Sequence, residues 1–432
     1  MKMSQPVLIA CAAVVVLCLS AHVAPAAVYE VSDLDTLQRL CAEEANPGDI
    51  IEIQPGTYYL TTPRISVTRS GEPGRPIIIR GLVEDGKRPI IDASRTNVMR
   101  GIFRTEEPTH DVVFEDLELC HAWGSRFPDQ RTFGVNAGAI YFQGKNLTAR
   151  RVYSHDNEDG FFSTHASDSI LVEHCEIAHN GTLAKEAHNR THSFYFNSHR
   201  QVVRNSYIHS SIEGENFKSR GYNTIFAYNW VEEDAIYSVA VDSGNEGNTL
   251  WLGNVIIKRT APGGQRRILG VGDGTGVARG TLTLVNNTIV ATNPDDLYFF
   301  TEWSSTTDVV LINNVFAGPS TDFLECHGKG TFSGTHNWFQ RGMNVPDTVT
   351  ESIFGDDPGF VEVEARDFHP APGSPLIDAG LPDPTYLDIN GQQSPAVPTL
   401  EPSRDPLATI RRPVVNTLDI GAFEHGSPAV HE

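Results

Sequence analysis

The sequence contains few cysteines, little positive charge and no long apolar stretch beyond its first residues. Its 6 cysteines form no C-x-x-C pair, which argues against a metal site or redox centre built on paired cysteines. The 33 Lys and Arg are outnumbered by 54 Asp and Glu, which gives a formal net charge of −21. So acidic a chain is not expected to bind nucleic acid or an anionic membrane through bulk attraction.

The first 26 residues have the pattern of a secretory signal peptide. Lys2 precedes an apolar run over residues 7–19, and Ala-Pro-Ala follows at residues 24–26. The run is shorter than the roughly 20 residues needed to span a bilayer. We therefore expect a secreted or periplasmic chain that begins near Ala27, is monomeric and has no membrane span. Four cysteines would remain, and buried thiols are expected of them: Cys41, Cys120, Cys175 and Cys326.

A repeated phrase dominates the second half of the chain. An apolar run is followed by Asn, one variable residue and another apolar residue, with steps of 24, 25, 33, 27 and 23 residues. The asparagines of this phrase are Asn205, Asn229, Asn254, Asn287, Asn314 and Asn337. A period in the twenties with one short β-like run per unit is typical of a parallel β-solenoid. The asparagine side chains are expected to hydrogen-bond to one another along the stack.

The two ends of the repeat differ from its middle. Residues 31–45 have helical spacing with Ser32 as N-cap, which predicts a short helix covering the first turn. Residues 341–432 contain Gly373-Ser-Pro-Leu-Ile-Asp-Ala-Gly and Leu418-Asp-Ile-Gly-Ala-Phe-Glu. These phrases resemble the C-terminal segment of secreted bacterial β-helix proteins and imply an irregular cap. Residues 27–340 thus resemble the right-handed parallel β-helix of pectate-lyase-like proteins, an all-β fold.

The segment over residues 212–221 carries the most chemistry. If Phe217 points into the core, Lys218 and Arg220 stand together outside, because alternate strand residues share a face. A nearby positive charge favours the neutral form of a lysine, which is the form that accepts a proton. Glu213 and Glu215 lie just upstream and could hold a hard cation such as Ca²⁺, although ion pairs with Lys218 and Arg220 are the simpler interpretation.

This segment resembles the polysaccharide lyases that include alginate lyases and chondroitinase B. The resemblance implies that Lys218 is the base that removes the C5 proton of a uronate, and that Glu213 and Glu215 bind Ca²⁺. The family's acid is an arginine on the next turn. Lys218 follows Asn205 by 13 residues and Asp242 follows Asn229 by 13, so Asp242 is predicted at the arginine position. Arg220, Tyr195 or His192 would then serve as the acid.

Two further clusters precede this segment. Asp156, Glu158 and Asp159 form an acidic turn beside His155; it resembles the calcium segment of a second pectate-lyase family, or is simply solvated. Tyr195 and Asn197 share one side of a strand with His192 opposite. If Tyr195 faces outward it lies one turn from Lys218, at about 4.8 Å between strands, where it contacts a sugar or joins an aromatic stack. His155, His192, Asn197 and Asp242 are the predicted substrate-binding residues.

Several functions are compatible with these residues. The first is a lyase that cleaves an acidic, uronate-containing polysaccharide by β-elimination, and a C5-epimerase would need almost the same residues. A glycoside hydrolase would instead use Asp242 with Asp234 or Glu215. A non-catalytic glycan-binding or structural β-helix is the alternative of another class. A lyase requires the charged residues to converge in a groove, with residues 121–138 and 179–190 as walls, whereas a binder would show an open aromatic strip.

Overall fold

The chain forms a parallel β-helix in which each turn contributes strands to three sheets. The computed structural model describes residues 25–124, 136–182, 191–233, 240–242, 247–259, 267–272, 279–292, 298–302, 306–319, 322–326 and 328–427. Most of the predicted signal peptide and most of the two predicted wall segments lie outside these residues. All strand pairs within the three sheets are parallel, which confirms the predicted solenoid.

We call the sheets 1, 2 and 3, in the order in which the chain passes from Gly138 onward. The strands of sheet 1 are Ile65–Val67, Phe103–Thr105, Gly138–Arg150, Asp159–Glu173, Phe194–Phe196, Phe217–Ser219, Ala240–Asp242, Arg267–Val271, Tyr298–Glu302 and Leu324–Cys326. The long strands Gly138–Arg150 and Asp159–Glu173 continue into sheet 2. The other strands of sheet 2 are Val28–Val31, Ile50–Ile53, Ile77–Gly81, His110–Glu115, Arg200–Arg204, Asn223–Ala227, Asn248–Leu252, Thr281–Val285, Asp308–Ile312, Phe332–Thr335 and Val349–Thr350. The strands of sheet 3 are Thr57–Tyr59, Ile90–Asp92, Glu118–Cys120, Tyr153–His155, Glu176–Ala178, Tyr207–His209, Trp230–Glu233, Val255–Lys258, Thr288–Ala291, Val315–Ala317, Trp338–Gln340 and Ile353–Gly355.

The core is a continuous apolar column inside the three sheets. Alternate strand residues point inward, and one cluster of buried side chains extends from Val31 in the first turn to Val349 in the last. Phenylalanines dominate the middle of this column, where Phe161, Phe194 and Phe217 contact one another in successive turns. Because each turn contacts only its neighbours, the inward residue of one strand is covered by the corresponding residue of the next.

The asparagine stack is present, and it corrects the predicted register. Each asparagine from Asn229 onward donates from Nδ2 to Oδ1 of the next one along the stack, at 2.8–3.1 Å, as far as Asn337. The residue that precedes Asn229 in the stack is Ser206, whose backbone N–H donates to Oδ1 of Asn229 at 3.1 Å. Asn205 instead occupies the preceding corner with φ of 51°, a left-handed conformation that asparagine tolerates. Counting from Asn205 was therefore wrong by one residue.

The N-terminal turn is covered by a short helix, as predicted, but its cap is different. The helix Leu34–Arg39 continues as a π-helical turn over Leu40–Glu44. Its N-cap is Asp33, whose carboxylate accepts the backbone N–H of Thr36 at 2.8 Å, so the assignment of Ser32 was wrong. Leu37, Leu40 and Cys41 are buried on its inner face and close the apolar column. Cys120 and Cys175 are buried thiols as well.

The C-terminal segment packs along the side of the solenoid. It contains three antiparallel pairs, Phe360–Glu362 with Asp367–Pro370, Thr385–Leu387 with Gln393–Pro395, and Leu400–Glu401 with Ile410–Arg411. Its apolar residues cover the outer side chains of sheet 3 around Trp230 and those of sheet 2 around Tyr228. The Asn286 side chain donates to the carbonyls of Asp419 and Gly421 at 2.8 and 3.0 Å. In the part of the chain that the structure describes, no helix is long and apolar enough to cross a membrane.

Candidate active site

A column of five side chains runs along the outer face of sheet 1 and ends at Lys218. Register pairs place Arg104, Tyr141, Phe162, Tyr195 and Lys218 beside one another in consecutive turns. The strand residue before each of the last three is fully buried, so alternation turns the column away from the core. Tyr195 therefore lies one turn from Lys218.

The rings of this column stack on one another. Tyr141, Phe162 and Tyr195 have centroids 4.9 Å apart and planes within 7° of parallel at both steps. Their faces are consequently covered by neighbouring rings, and the column presents ring edges rather than the open faces on which a sugar stacks. At the far end, Arg104 lies 5.8 Å from the Tyr141 centroid.

Lys218 and Arg220 both face the last ring of the column. Nζ of Lys218 lies 5.9 Å and Cζ of Arg220 lies 5.6 Å from the Tyr195 centroid, within the range of cation–π attraction. The Lys218 side chain is only 11% exposed. Two cationic groups are thus fixed over one aromatic ring, with the lysine amine in a site that is shielded from water.

A buried carboxylate lies behind Lys218. Oε2 of Glu215 is 3.9 Å from Nζ of Lys218 and 2.7 Å from Nδ1 of His192. Burial by itself would raise the pKa of Glu215, but Lys218 and His192 overcome this effect and lower its pKa to about 2. Burial lowers the pKa of His192, although Glu215 opposes the shift. The site therefore contains a buried, anionic glutamate next to the Lys218 amine.

Gly214 is required for this arrangement. Its φ is +79°, and a Cβ at this position would lie 1.6 Å from the carbonyl oxygen of Thr191. No side chain fits there, because the backbone passes directly over the neighbouring turn. This close approach places Glu215 against His192. The glycine in Glu-Gly-Glu at residues 213–215 therefore allows the Glu215 carboxylate to be buried.

His192 has a different place from the one predicted. Its side chain is 2% exposed, and its ring stacks on Tyr195 at 5.4 Å between centroids. It supports Tyr195 and Glu215 from the inside and does not face solvent, whereas a substrate contact was predicted. Asn197 is half-buried at the end of the Tyr195 strand, and its N–H donates to Oγ of Ser163 at 2.9 Å.

Two other predicted site residues do not join Lys218. His155 lies on sheet 3, where it pairs with Glu118 at 3.2 Å and Asp156 at 2.7 Å. Asp242 is in register with Ser219, whereas Val241 is the neighbour of Lys218. The one-residue error at Asn205 caused the misplacement of Asp242, because the stack position before Asn229 is residue 206. Asp234, the hydrolase candidate, lies outside the described residues.

The carboxylates predicted to bind calcium are dispersed. The Asp156 carboxylate lies at the surface and is paired with the His155 ring. Asp159 is buried and accepts the backbone N–H of His192 at 2.9 Å. Burial, and then the charge of Glu158, raise the pKa of Asp159 well above its ordinary value. Glu158 and Asp159 are thus the pair whose mutual repulsion a bound cation would relieve.

The remaining two carboxylates do not complete a calcium site. Glu213 is buried, and Glu215 is already paired with Lys218. Within the described ranges, no three of the predicted carboxylates bring their oxygens within 4.8 Å of one another. Ca²⁺ takes about 6–8 oxygen ligands, so these residues alone do not fit the ion. Calcium binding stays a prediction, and no catalytic step is assigned to it.

Sequence reasoning missed the column that leads to Lys218. Tyr141 and Phe162 were not predicted as site residues, because irregular insertions make the steps to Phe162, Tyr195 and Lys218 unequal, at 21, 33 and 23 residues. The available signal was an aromatic residue directly after the inward residues Ile140, Phe161 and Phe194 of sheet 1. Glu215 was predicted either to bind calcium or to form a solvated ion pair with Lys218; the pair is present, but it is buried rather than solvated.

Comparison with known proteins supports the fold. No protein-family model matches the chain, and no curated protein matches its sequence. The fold is similar to that of pectate lyase Pel9A, with a TM-score of 0.59 and 14% identity over 94% of this chain and 98% of that one. A family 6 polysaccharide lyase from Pseudopedobacter saltans aligns over 76% of this chain and 91% of its own, with a TM-score of 0.48 and 12% identity. The first similarity establishes a parallel β-helix like that of a polysaccharide lyase.

Proposed function

We propose that this protein is a polysaccharide lyase that cleaves a uronate-containing polysaccharide by β-elimination, with Lys218 as the base. The observation that supports this proposal is the position of the Lys218 amine. It is shielded, lies over Tyr195 beside Arg220, and has the Glu215 carboxylate 3.9 Å away. The Lys218 amine, the Arg220 guanidinium and the Tyr195 side chain with its hydroxyl are therefore gathered on one outer face of the solenoid.

These groups meet the requirements of the reaction. The neutral Lys218 amine takes the C5 proton, and the C5–H electron pair becomes the C4=C5 double bond. The C4–O4 bond breaks, and O4 receives a proton from the Tyr195 hydroxyl. Arg220 balances the charge that develops on the C6 carboxylate. Glu215 stabilises the ammonium formed on Lys218, and His192 holds Glu215 in place.

The charges along the column on sheet 1 favour an acidic chain lying along the solenoid. Arg104 and Arg100 approach Tyr141 at one end of the column, at 5.8 and 5.5 Å from its centroid, and Lys218 and Arg220 lie at the other end. Carboxylates on successive sugars would meet guanidinium and ammonium groups, for which charge complementarity provides binding despite the acidic chain as a whole. The covered ring faces argue against the open aromatic strip expected of a pure binder.

Export and calcium binding belong to the proposal as well. Residues 1–26 would be removed on secretion, which N-terminal sequencing of the exported protein tests. Calcium would bind at Glu158 and Asp159 only with further oxygen ligands from water or substrate, and calorimetric titration with Ca²⁺ of the wild type and of Glu158→Gln tests it. Lyase activity measured with and without a chelator shows whether the ion matters for turnover.

The central experiment is the formation of unsaturated product, followed by ultraviolet absorbance on alginate, pectate, heparan sulfate and chondroitin sulfate. Lys218→Ala is expected to reduce the rate by about 10²–10⁴-fold, the usual contribution of a general base. Lys145→Ala, at an exposed lysine of the sheet 2 half of its strand, is the matched control and should retain full activity. Full activity of Lys218→Ala would exclude Lys218 as the base.

A second measurement separates the lyase from a C5-epimerase. An epimerase would exchange the C5 proton with solvent deuterium and leave the chain length unchanged, whereas a lyase shortens the polymer. Deuterium incorporation into uncleaved polymer, without absorbance, would replace the lyase assignment by the epimerase. Binding of an acidic polysaccharide with neither reaction would support the non-catalytic alternative.

A further inference from the structure

Three potential metal ligands meet on sheet 3, away from the Lys218 site. A carboxylate oxygen of Asp92, Sγ of Cys120 and a ring nitrogen of His121 all lie within 4.8 Å of one another. The Asp92 carboxylate and the His121 ring are already in contact, with 3.1 Å between Oδ1 and Nδ1. In the part of the chain that the structure describes, this is the only such group of three.

The solenoid register produces this convergence. Asp92 and Cys120 end adjacent strands of sheet 3 and are register partners, although 28 residues separate them in sequence. His121 follows at the corner with φ of 59°, so the chain turns there and its side chain lies against Asp92 in the previous turn. Two consecutive turns of the solenoid therefore supply all three groups.

The three groups suit a borderline-soft divalent ion. Imidazole nitrogen and thiolate sulfur are preferred ligands of Zn²⁺, and a carboxylate completes many such sites. One thiolate and one carboxylate also balance the charge of a divalent cation. In a tetrahedral zinc site the ligand atoms are about 3.3–3.7 Å apart, so closure onto an ion requires side-chain movements of about 1 Å or less.

We propose that Asp92, Cys120 and His121 bind one divalent transition-metal ion of the zinc type, which ties together two early turns of the solenoid. The fourth position is open to water, and His155 would join only on leaving one of its partners, Glu118 or Asp156. His155 is the register partner of Cys120 in the following turn, and its ring centroid is 6.3 Å from that of His121.

The metal site is independent of the proposed lyase chemistry. Lys218 lies on sheet 1, whereas Asp92, Cys120 and His155 belong to sheet 3. Loss of the metal site is therefore expected to leave Tyr195, Lys218 and Arg220 in place. The readout of the test is the metal itself, so its outcome does not depend on whether the protein is a lyase.

The test is a titration of the full chain with Co²⁺ under reducing conditions, followed by absorbance. The wild type is expected to bind one Co²⁺ per chain with a thiolate-to-metal charge-transfer band, and Zn²⁺ should displace it. Cys120→Ser should abolish the band. Asp92→Asn and His121→Ala should each weaken Co²⁺ binding by at least about tenfold, because loss of a supporting group alone costs about 10–100-fold.

Two variants serve as controls. Cys41→Ala removes another buried thiol, at the N-terminal helix, and should keep the band. His110→Ala removes the histidine of a similar pair, 2.9 Å from Asp111, and should also keep it. Absence of a charge-transfer band in the wild type, or a band that survives Cys120→Ser, would overturn the proposal. If circular dichroism shows that Cys120→Ser is unfolded, Asp92→Asn and His121→Ala decide: unchanged binding in both would likewise overturn it.

Discussion

The asparagine stack makes a stability prediction that can be worked out atom by atom at Asn287. Its Oδ1 accepts the backbone N–H and the Nδ2 of Asn254, at 3.0 and 2.8 Å. Its Nδ2 donates to Oδ1 of Asn314 at 2.9 Å and to the carbonyl of Trp251 at 3.0 Å. The residue is fully buried, so water does not replace these bonds when the side chain is removed.

Asn287→Ala leaves the backbone N–H of Asn254 without the acceptor that the structure gives it. An orphaned buried donor costs about 1–3 kcal/mol, and each further lost hydrogen bond costs about 1 kcal/mol. Asn254 Nδ2 retains the Phe226 carbonyl at 2.8 Å, so its loss is only partial. We therefore expect Asn287→Ala to destabilise the protein by about 3–5 kcal/mol.

The matched control is Asn205→Gly. Asn205 belongs to the same sequence phrase but lies outside the stack, at φ of 51°, where glycine is free of strain. We expect this change to alter stability by less than about 1 kcal/mol. Urea denaturation measures both variants, and hydrogen exchange of the 250–258 segment reports the orphaned amide directly.

Equal urea midpoints for Asn287→Ala and Asn205→Gly would refute the reasoning. So would unchanged exchange at Asn254 in Asn287→Ala. Either result would mean that the stack is not a source of stability, and that the repeated asparagine marks only the shape of the corner.

Two further predictions concern the Lys218 site. The pKa of Glu215 is lowered from 4.5 to about 2, so its ionised form contributes about 3 kcal/mol of stability that is present above pH 4.5 and lost as the pH falls towards 2. Glu215→Gln should therefore flatten the acid limb of the urea midpoint against pH, and an unchanged limb would contradict the assignment. Tyr195→Phe keeps the ring stack but removes the hydroxyl, so it should lose lyase activity by about 10²-fold or more with an unchanged urea midpoint. Full activity of Tyr195→Phe would exclude Tyr195 as the acid.

Much of the architecture could be predicted from the sequence because its elements repeat. The period, the inward phenylalanines and the asparagine stack recur in turn after turn, so errors at one site do not hide the pattern. The short N-terminal helix was predicted from its spacing, although its cap is Asp33 rather than Ser32. The path of the C-terminal segment could not be predicted, since its contacts with Trp230 and Tyr228 join residues that are distant in sequence.

The candidate site was predictable only in part. Lys218 and Arg220 were predicted together because alternate residues of a strand share a face, and Tyr195 was predicted one turn away from Lys218 for the same reason. Asp242 was misplaced, since the count to Lys218 started from the corner residue Asn205, whereas the stack position in that turn is Ser206. His192 was identified but misassigned, and the ion pair of Glu215 with Lys218 was expected in solvent, because sequence does not reveal that Gly214 brings the chain over Thr191 and buries both side chains.

The sequence by itself determined that the chain is a parallel β-helix and that Lys218 projects from it. Periodicity and alternation are local properties, and they suffice for both conclusions. The tertiary structure decided which residues meet across turns. Because the insertions between strands have unequal lengths, the register of neighbouring turns cannot be read from the sequence. Only the folded solenoid brings Tyr195 next to Lys218 and Asp92 next to Cys120. The proposed lyase and metal sites depend on those contacts between turns, each set by hydrogen-bonded register rather than by spacing along the chain.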